Sequence, residues 1–208
     1  MSCGTSAYWN ERYLNSRDSD LSWSEGLRSL SLKWIMNTVS KSSFVADIGA
    51  GRSMLLPTLL SNGYTNLTHV EWSESASKHV QIKLGEMASC ISWFVGDLFD
   101  WEPDYQVDLW HDRAVFHFQV DSESLCEYMR SVHEYVRYKG YVLLATFHVD
   151  GPEKCSGLPV KRYDASTLLD ALKSYDGSNW VEVKNAIWSH KTPSGIEQKF
   201  QYLLAQRC

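Results

Sequence analysis

The run Phe44-Val45-Ala46-Asp47-Ile48 leads directly into Gly49-Ala50-Gly51, and this junction constrains the fold more than any other stretch of the 208 residues. A short apolar run of this kind fits a buried strand. Two glycines one residue apart then let the backbone take conformations closed to other residues and approach a neighbour closely. Met54 to Leu60 follows with helical spacing. Pro57 is tolerable there only near the first turn, and Asn62-Gly63 is a helix stop.

The unit repeats. Leu67 to Glu71 reads as a second strand, and Ser73 to Gly85 as a helix that Ser73 caps. Ile91 to Val95 and Val107 to Trp110 read as the third and fourth strands. Glu123 to Tyr138 is a long amphipathic helix, stopped at Lys139-Gly140. Tyr141 to Phe147 is nearly continuously apolar, as in a strand buried on both faces. Ala165 to Ser174 is a further helix. Upstream, Tyr8 to Leu14 is a short amphipathic piece, and Leu27 to Val39 places Leu27, Leu30, Trp34 and Ile35 at helical spacing. Near the C-terminus, Trp180 to His190 and Gln198 to Ala205 are strand-like, and only the turn-rich 191–195 segment joins them. They should pair antiparallel. The alternation predicts an α/β fold: a doubly wound, mostly parallel sheet closed by a C-terminal antiparallel hairpin. With no linker or repeat, one domain over 1–208 is expected, with 1–40 a helical cover and 41–208 the sheet core.

Composition excludes more than it assigns. The net charge is −5, which removes the simplest electrostatic reason for binding nucleic acid. No apolar run is long enough to span a membrane, and the first residues lack the pattern of a signal peptide. Five cysteines, scattered and odd in number, suggest reduced thiols and a cytoplasmic setting. A metal site built from His111, His117, His148 and Cys155 has no compact ligand spacing to support it, so none is expected.

In an open parallel sheet, ligands bind beyond the carboxyl ends of the strands, near the switch in strand order. Three features fall there: the glycine turn, Glu71 at the end of the second strand, and Asp97 in Gly96-Asp97-Leu98 after the third. Glu71 is suited to accept from both hydroxyls of a ribose, and Asp97 from an adenine amine. A nicotinamide enzyme would share the turn and the acidic residue. However, the third glycine of that fingerprint would fall at Met54, and the terminal hairpin also disfavours it.

With these motifs, the chain resembles the class I, seven-stranded S-adenosylmethionine-dependent methyltransferases, whose fold is Rossmann-like. Val45 to Gly51 matches that family's first motif, Glu71 its second acidic position and Gly96-Asp97-Leu98 its third. Ser53 departs from the pattern, standing where many members carry glycine. The resemblance implies S-adenosylmethionine as cofactor. Asp47, Gly49 and Gly51 would surround its methionine portion, Glu71 its ribose, and Trp72, Asp97 and Leu98 its adenine. Tyr8 to Tyr13, with Trp23, resembles the N-terminal segment of a subset that includes translation-factor lysine methyltransferases. There the segment lies over the cofactor, which places Trp9 and Tyr13 at the site.

The acceptor is less legible. The loop from Asp108 to Phe118 lacks the Asn/Asp-Pro-Pro-Tyr/Phe pattern of enzymes that methylate amide or adenine nitrogens. Trp110-His111-Asp112-Arg113-Ala114 is similar to a segment of thiopurine-type methyltransferases and, loosely, to one in the lysine subset. His111, Asp112, Arg113 and His148 are the candidate catalytic groups, and His111 is also expected to touch the cofactor. His117 reads as a packed histidine and His190 as structural. The 148–163 connection is expected to wall the acceptor pocket, with Cys155 and Tyr163 facing substrate and Arg113, Lys161 and Arg162 selecting an acidic acceptor. Three readings stay open. The first is an enzyme acting on a small thiol, amine or hydroxyl. The second is a protein-lysine methyltransferase, and the third a non-catalytic cofactor-binding subunit.

Overall fold

The computed structural model describes residues 4–17, 29–175, 179–192, 195 and 197–208. Trp23 and Leu27 fall outside the described residues, as does the side chain of His190. Seven strands form one sheet in the order β3-β2-β1-β4-β5-β9-β8: β1 (Phe44–Ile48), β2 (Asn66–Glu71), β3 (Ser92–Val95), β4 (Val107–Arg113), β5 (Val136–Phe147), β8 (Trp180–Lys191) and β9 (Glu197–Arg207). The first five run parallel, and β9 is antiparallel to both β5 and β8. The predicted hairpin therefore exists, and its second strand is the inner one. Chain order reverses between β1 and β4, so the crevice lies at their carboxyl ends.

Alternation along the strands divides the core. Ala46, Ile48, Val142, Leu144, Leu203 and Ala205 face one side, where α5 (Ser122–Tyr135) and α6 (Ala165–Lys173) contribute Tyr128, Val132, Leu168 and Leu172. Val45, Leu143, Phe147, Tyr202 and Leu204 face the other. There α2 (Leu30–Met36) adds Trp34 and Ile35, and α3 (Leu55–Ser61) adds Leu56 and Leu59. Both faces are covered, which is why these strands read as apolar runs. The helix starts follow their caps: Ser73 accepts from Ala76 N–H at the head of α4 (Glu74–Leu84), and Asp164 and Thr167 form a capping box on α6.

The β4 and α5 boundaries differ from expectation, and the first of them bears on the site. The strand β4 continues through Arg113, so His111, Asp112 and Arg113 are strand residues with alternating faces. The helix α5 ends at Tyr135, and Lys139-Gly140 is a bulge within β5. Val107 pairs with Val136 while Leu109 pairs with Tyr141, and Lys139 takes a φ of 62° to absorb the extra residues. The long 148–163 connection contains a small hairpin, β6 (Lys154–Cys155) with β7 (Leu158–Pro159). No described helix is long and apolar enough to cross a membrane.

Candidate functional site

The glycine turn is enforced from two sides. Gly49 and Gly51 have φ of 61° and 54°, in the left-handed region. A Cβ on Gly49 would lie 2.0 Å from Val115 Cγ2, and one on Gly51 2.3 Å from Tyr13 Oη. Glu71 closes the turn: Gly51 N–H donates to Oε2 and Ser73 N–H to Oε1, both at 2.7 Å. Each oxygen keeps a further acceptor direction. Burial pushes the Glu71 carboxyl up to about 7, with the Ser73 and Gly51 N–H groups opposing.

Above this turn lies a cavity at the carboxyl ends of β1, β2 and β4. Among the residues assigned to the cofactor, Gly49, Glu71, Trp72, Asp97 and Leu98 line it, and so do Trp9 and Tyr13. Asp47, Gly51 and His111 do not. Asp97 caps a 3-10 turn by accepting from Phe99 N–H at 3.1 Å, and both residues line the cavity.

The helix α1 (Ser6–Leu14) forms the roof. Asn10 Oδ1 accepts from Ser73 Oγ at 2.9 Å and Ser75 N–H at 3.0 Å, and Ser6 Oγ donates to the Trp72 carbonyl at 3.2 Å. At its far end, Arg52 donates to the Tyr13 carbonyl at 2.5 Å. Tyr8 Oη donates to the Ser156 carbonyl and joins the roof to the 148–163 connection.

Of the four catalytic candidates, only Arg113 lines the cavity. Its Nε donates to Tyr202 Oη at 3.2 Å, and its guanidinium carbon sits 4.4 Å from the Phe200 ring centroid. Asp112 points the other way because strand residues alternate. Its carboxylate is fully buried and accepts from Val115 N–H and Phe116 N–H at 2.9 Å, and from Tyr128 Oη at 2.5 Å. Burial raises its carboxyl to about 6, against those donors. His148 accepts from Asp150 N–H at 3.2 Å and bridges to Tyr163, away from the cavity. His111 is buried between Asp47 and Ser31.

His117 is a packed histidine, as its neighbours Phe116 and Phe118 suggested. It lies beside Phe118 and Phe147, accepts from Phe147 N–H at 3.4 Å, and is pushed down to about 3 by burial and then by Arg113. In the 148–163 connection, Cys155 and Ser156 line the cavity, whereas Tyr163, Lys161 and Arg162 do not. Burial raises the Cys155 thiol to about 11. Arg162 braces the connection through the Gly151 carbonyl at 3.1 Å, and Lys161 lies over Tyr163. No three His, Cys, Asp or Glu side chains are gathered to hold a metal ion among the described residues.

The sequence reading took the stretch from Asp108 to Phe118 into the site but did not single out Ala114, Val115 and Phe118 as its wall, and it stopped short of Gln119. Ala114 takes a φ of 74°, and a 3-10 turn over Phe116–Phe118 follows it. This left-handed corner carries alanine rather than glycine, so the residue itself did not announce it. Phe118 meets Trp9 edge-on with centroids 5.6 Å apart and joins this wall to the roof.

No family model matches the chain, and no curated protein matches it. Solved structures do. N-methyltransferase NodS from Bradyrhizobium japonicum, in complex with S-adenosyl-L-homocysteine, is 13% identical with a TM-score of 0.72, covering 98% of this chain and 99% of that one. TehB from Haemophilus influenzae is 18% identical with a TM-score of 0.69, covering 99% of this chain and 68% of its own. The 1,6-didemethyltoxoflavin-N1-methyltransferase of Burkholderia thailandensis, with bound 1,6-didemethyltoxoflavin and S-adenosylhomocysteine, is 16% identical with a TM-score of 0.63, over 85% of this chain and 75% of that chain. The chain has the Rossmann-like fold of these methyltransferases.

Proposed function

We propose that this chain is an S-adenosylmethionine-dependent methyltransferase whose acceptor is a small molecule. One observation carries the reading: the glycine turn, Glu71 and Asp97 meet around a single cavity at the switch in strand order. The residues fit the cofactor. The free acceptor directions on Glu71 suit ribose hydroxyls, Asp97 and Leu98 suit an adenine edge, and Trp72 offers a face beside it. Ile48 and Gly49 leave backbone surface for the methionine end. Bound there, the cofactor supplies a methyl group activated by its sulfonium.

The roof over the cavity favours a small acceptor over a protein lysine. The Tyr8–Ser156 hydrogen bond and the Trp9–Phe118 contact join α1 to the opposite wall, which narrows the approach for a protein side chain. Structural relatives that methylate small molecules agree with this. The chain's own contribution is alignment and exclusion of water, which are the main needs of an in-line displacement. No described histidine lines the cavity. The Cys155 thiol, raised to about 11, stays protonated and acts as wall. A thiolate or a neutral amine needs no base, so either suits this site better than a hydroxyl. Arg113 offers a cation at the acceptor side and favours an anionic group on the acceptor. The intact glycine turn, Glu71 and Asp97 weigh against a non-catalytic subunit.

Calorimetry with S-adenosylhomocysteine tests the donor half; absence of binding would overturn the reading. Radiolabelled methyl transfer into a fractionated lysate tests the acceptor, and label confined to protein would favour lysine. Glu71 adds a pH signature. Its carboxyl is protonated below about pH 7 in the free protein, and the ionised form is the better acceptor for ligand hydroxyls. Binding therefore releases a proton at low pH, and affinity rises with pH. The dissociation constant should fall about fivefold from pH 6 to pH 7 and level off above about pH 8. Glu71→Gln should bind more weakly and show no such slope; a slope retained in that variant would assign the titration elsewhere.

A further inference from the structure

Gln119 stands in the cavity wall with its amide only half satisfied. It follows the Phe116–Phe118 turn beyond β4, lines the cavity and is 3% exposed. Its Nε2–H reaches the Val115 carbonyl at 3.5 Å, which fixes the nitrogen end of the amide because a carbonyl only accepts. Oε1 is buried and has no hydrogen-bond partner among the described residues. An unmatched buried amide oxygen costs the fold stability, and a donor on a ligand in the cavity removes that cost.

The neighbours of Gln119 narrow the kind of donor. Arg113 lines the same wall, held by Tyr202 and stacked on Phe200. Its charge is felt on both sides of that wall. Burial raises the Cys155 thiol and Arg113 opposes the rise, while burial lowers His117 and Arg113 adds to the fall. Phe118 and Trp9 supply aromatic surface beside it. The acidic residues lining the cavity, Glu71 and Asp97, follow β2 and β3 and so lie on the far side of β1. The end of the cavity beyond β4 is therefore cationic and aromatic, with one unmatched acceptor.

We propose that Gln119 determines acceptor specificity and that the acceptor is an arylamine bearing a carboxylate, its N–H donating to Gln119 Oε1 and its carboxylate facing Arg113. The proposal rests on reading the cavity as the S-adenosylmethionine site. Each part of the class answers a group on the wall. A thiolate has no proton to donate and a thiol is a weak donor, so the amide oxygen selects nitrogen over sulfur. An alkylamine is an ammonium at pH 7. Arg113 repels it, and no described histidine lines the cavity to take its proton. An arylamine is neutral at that pH, because its lone pair is shared with the ring. The flat ring suits Phe118 and Trp9.

Calorimetry on the whole chain, with S-adenosylhomocysteine saturating, tests the class. The best of 2-, 3- and 4-aminobenzoate should bind about tenfold more tightly than benzoate, which lacks the N–H, and than aniline, which lacks the acid. That isomer should also take label from S-adenosylmethionine at its nitrogen. Gln119→Met removes the amide at nearly constant volume. It should weaken the aminobenzoate about tenfold, leave benzoate and S-adenosylhomocysteine within about twofold, and not lower the melting temperature. A fall of more than about 4 °C in that variant would make the amide structural and overturn the proposal. So would aminobenzoates that bind no better than benzoate, binding without transfer, or a loss shared equally by benzoate. Failure of the unmutated protein to bind S-adenosylhomocysteine would instead sink the cofactor reading.

Discussion

Gly49→Ala should lower the melting temperature by about 5–15 °C and weaken S-adenosylhomocysteine binding by at least about tenfold. Two separable costs combine. An alanine held at the Gly49 φ of 61° is in the left-handed region, at about 1–2 kcal/mol. Its Cβ would also stand 2.0 Å from Val115 Cγ2, and overlap in a packed site costs about 1–3 kcal/mol more. Val115 is itself a cavity wall, so relieving the overlap displaces the surface that faces the ligand. Adding Val115→Ala removes the overlapped methyl and leaves the backbone cost. The double variant should therefore regain about half of the lost stability. Thermal denaturation of the single and double variants, with calorimetry on each, checks both parts. A Gly49→Ala protein that melts and binds normally would mean the turn is not held as described.

Asp112→Ala should destabilise the fold by about 3–6 kcal/mol, among the largest effects available to a single side chain here. The carboxylate receives three buried donors: Val115 N–H, Phe116 N–H and Tyr128 Oη. Tyr128 Oη also accepts from Trp110 Nε1–H at 2.9 Å, so the chain of hydrogen bonds runs into the core. Removing Asp112 leaves those donors buried and unmatched, at about 1–3 kcal/mol each. The sequence suggested Asp112 as a catalytic group. Its placement predicts a different phenotype: a large fall in denaturation midpoint, with the affinity of the folded fraction for S-adenosylhomocysteine changed by less than about tenfold. Near-normal stability with abolished turnover would restore the catalytic reading.

The sequence was readable where a residue's meaning is local. The glycine turn needed no tertiary information, because glycine takes that backbone without steric cost. Apolar runs marked the strands since both faces of the sheet are covered, and Ser73 announced its helix by chemistry confined to one turn. Glu71 and Asp97 were found because strand ends on one edge of a parallel sheet converge by topology. The β4 segment was harder. His111, Asp112 and Arg113 are consecutive and polar, and together they read as a functional loop. On a strand they part company: His111 joins Asp47 and Ser31, Asp112 turns into the core, and Arg113 reaches the cavity.

What the sequence determined by itself was therefore the glycine turn, the order of strands and helices, and the acidic residues at the strand ends. Each depends on backbone sterics or on a period of two or of 3.6 residues. What only tertiary structure decided was which polar side chains face the ligand. A one-residue extension of a strand reverses that choice, and partners such as Ser31 and Tyr128 come from helices distant in sequence. The turn after Ile48 stayed where the glycines placed it, while the groups around it were assigned by packing.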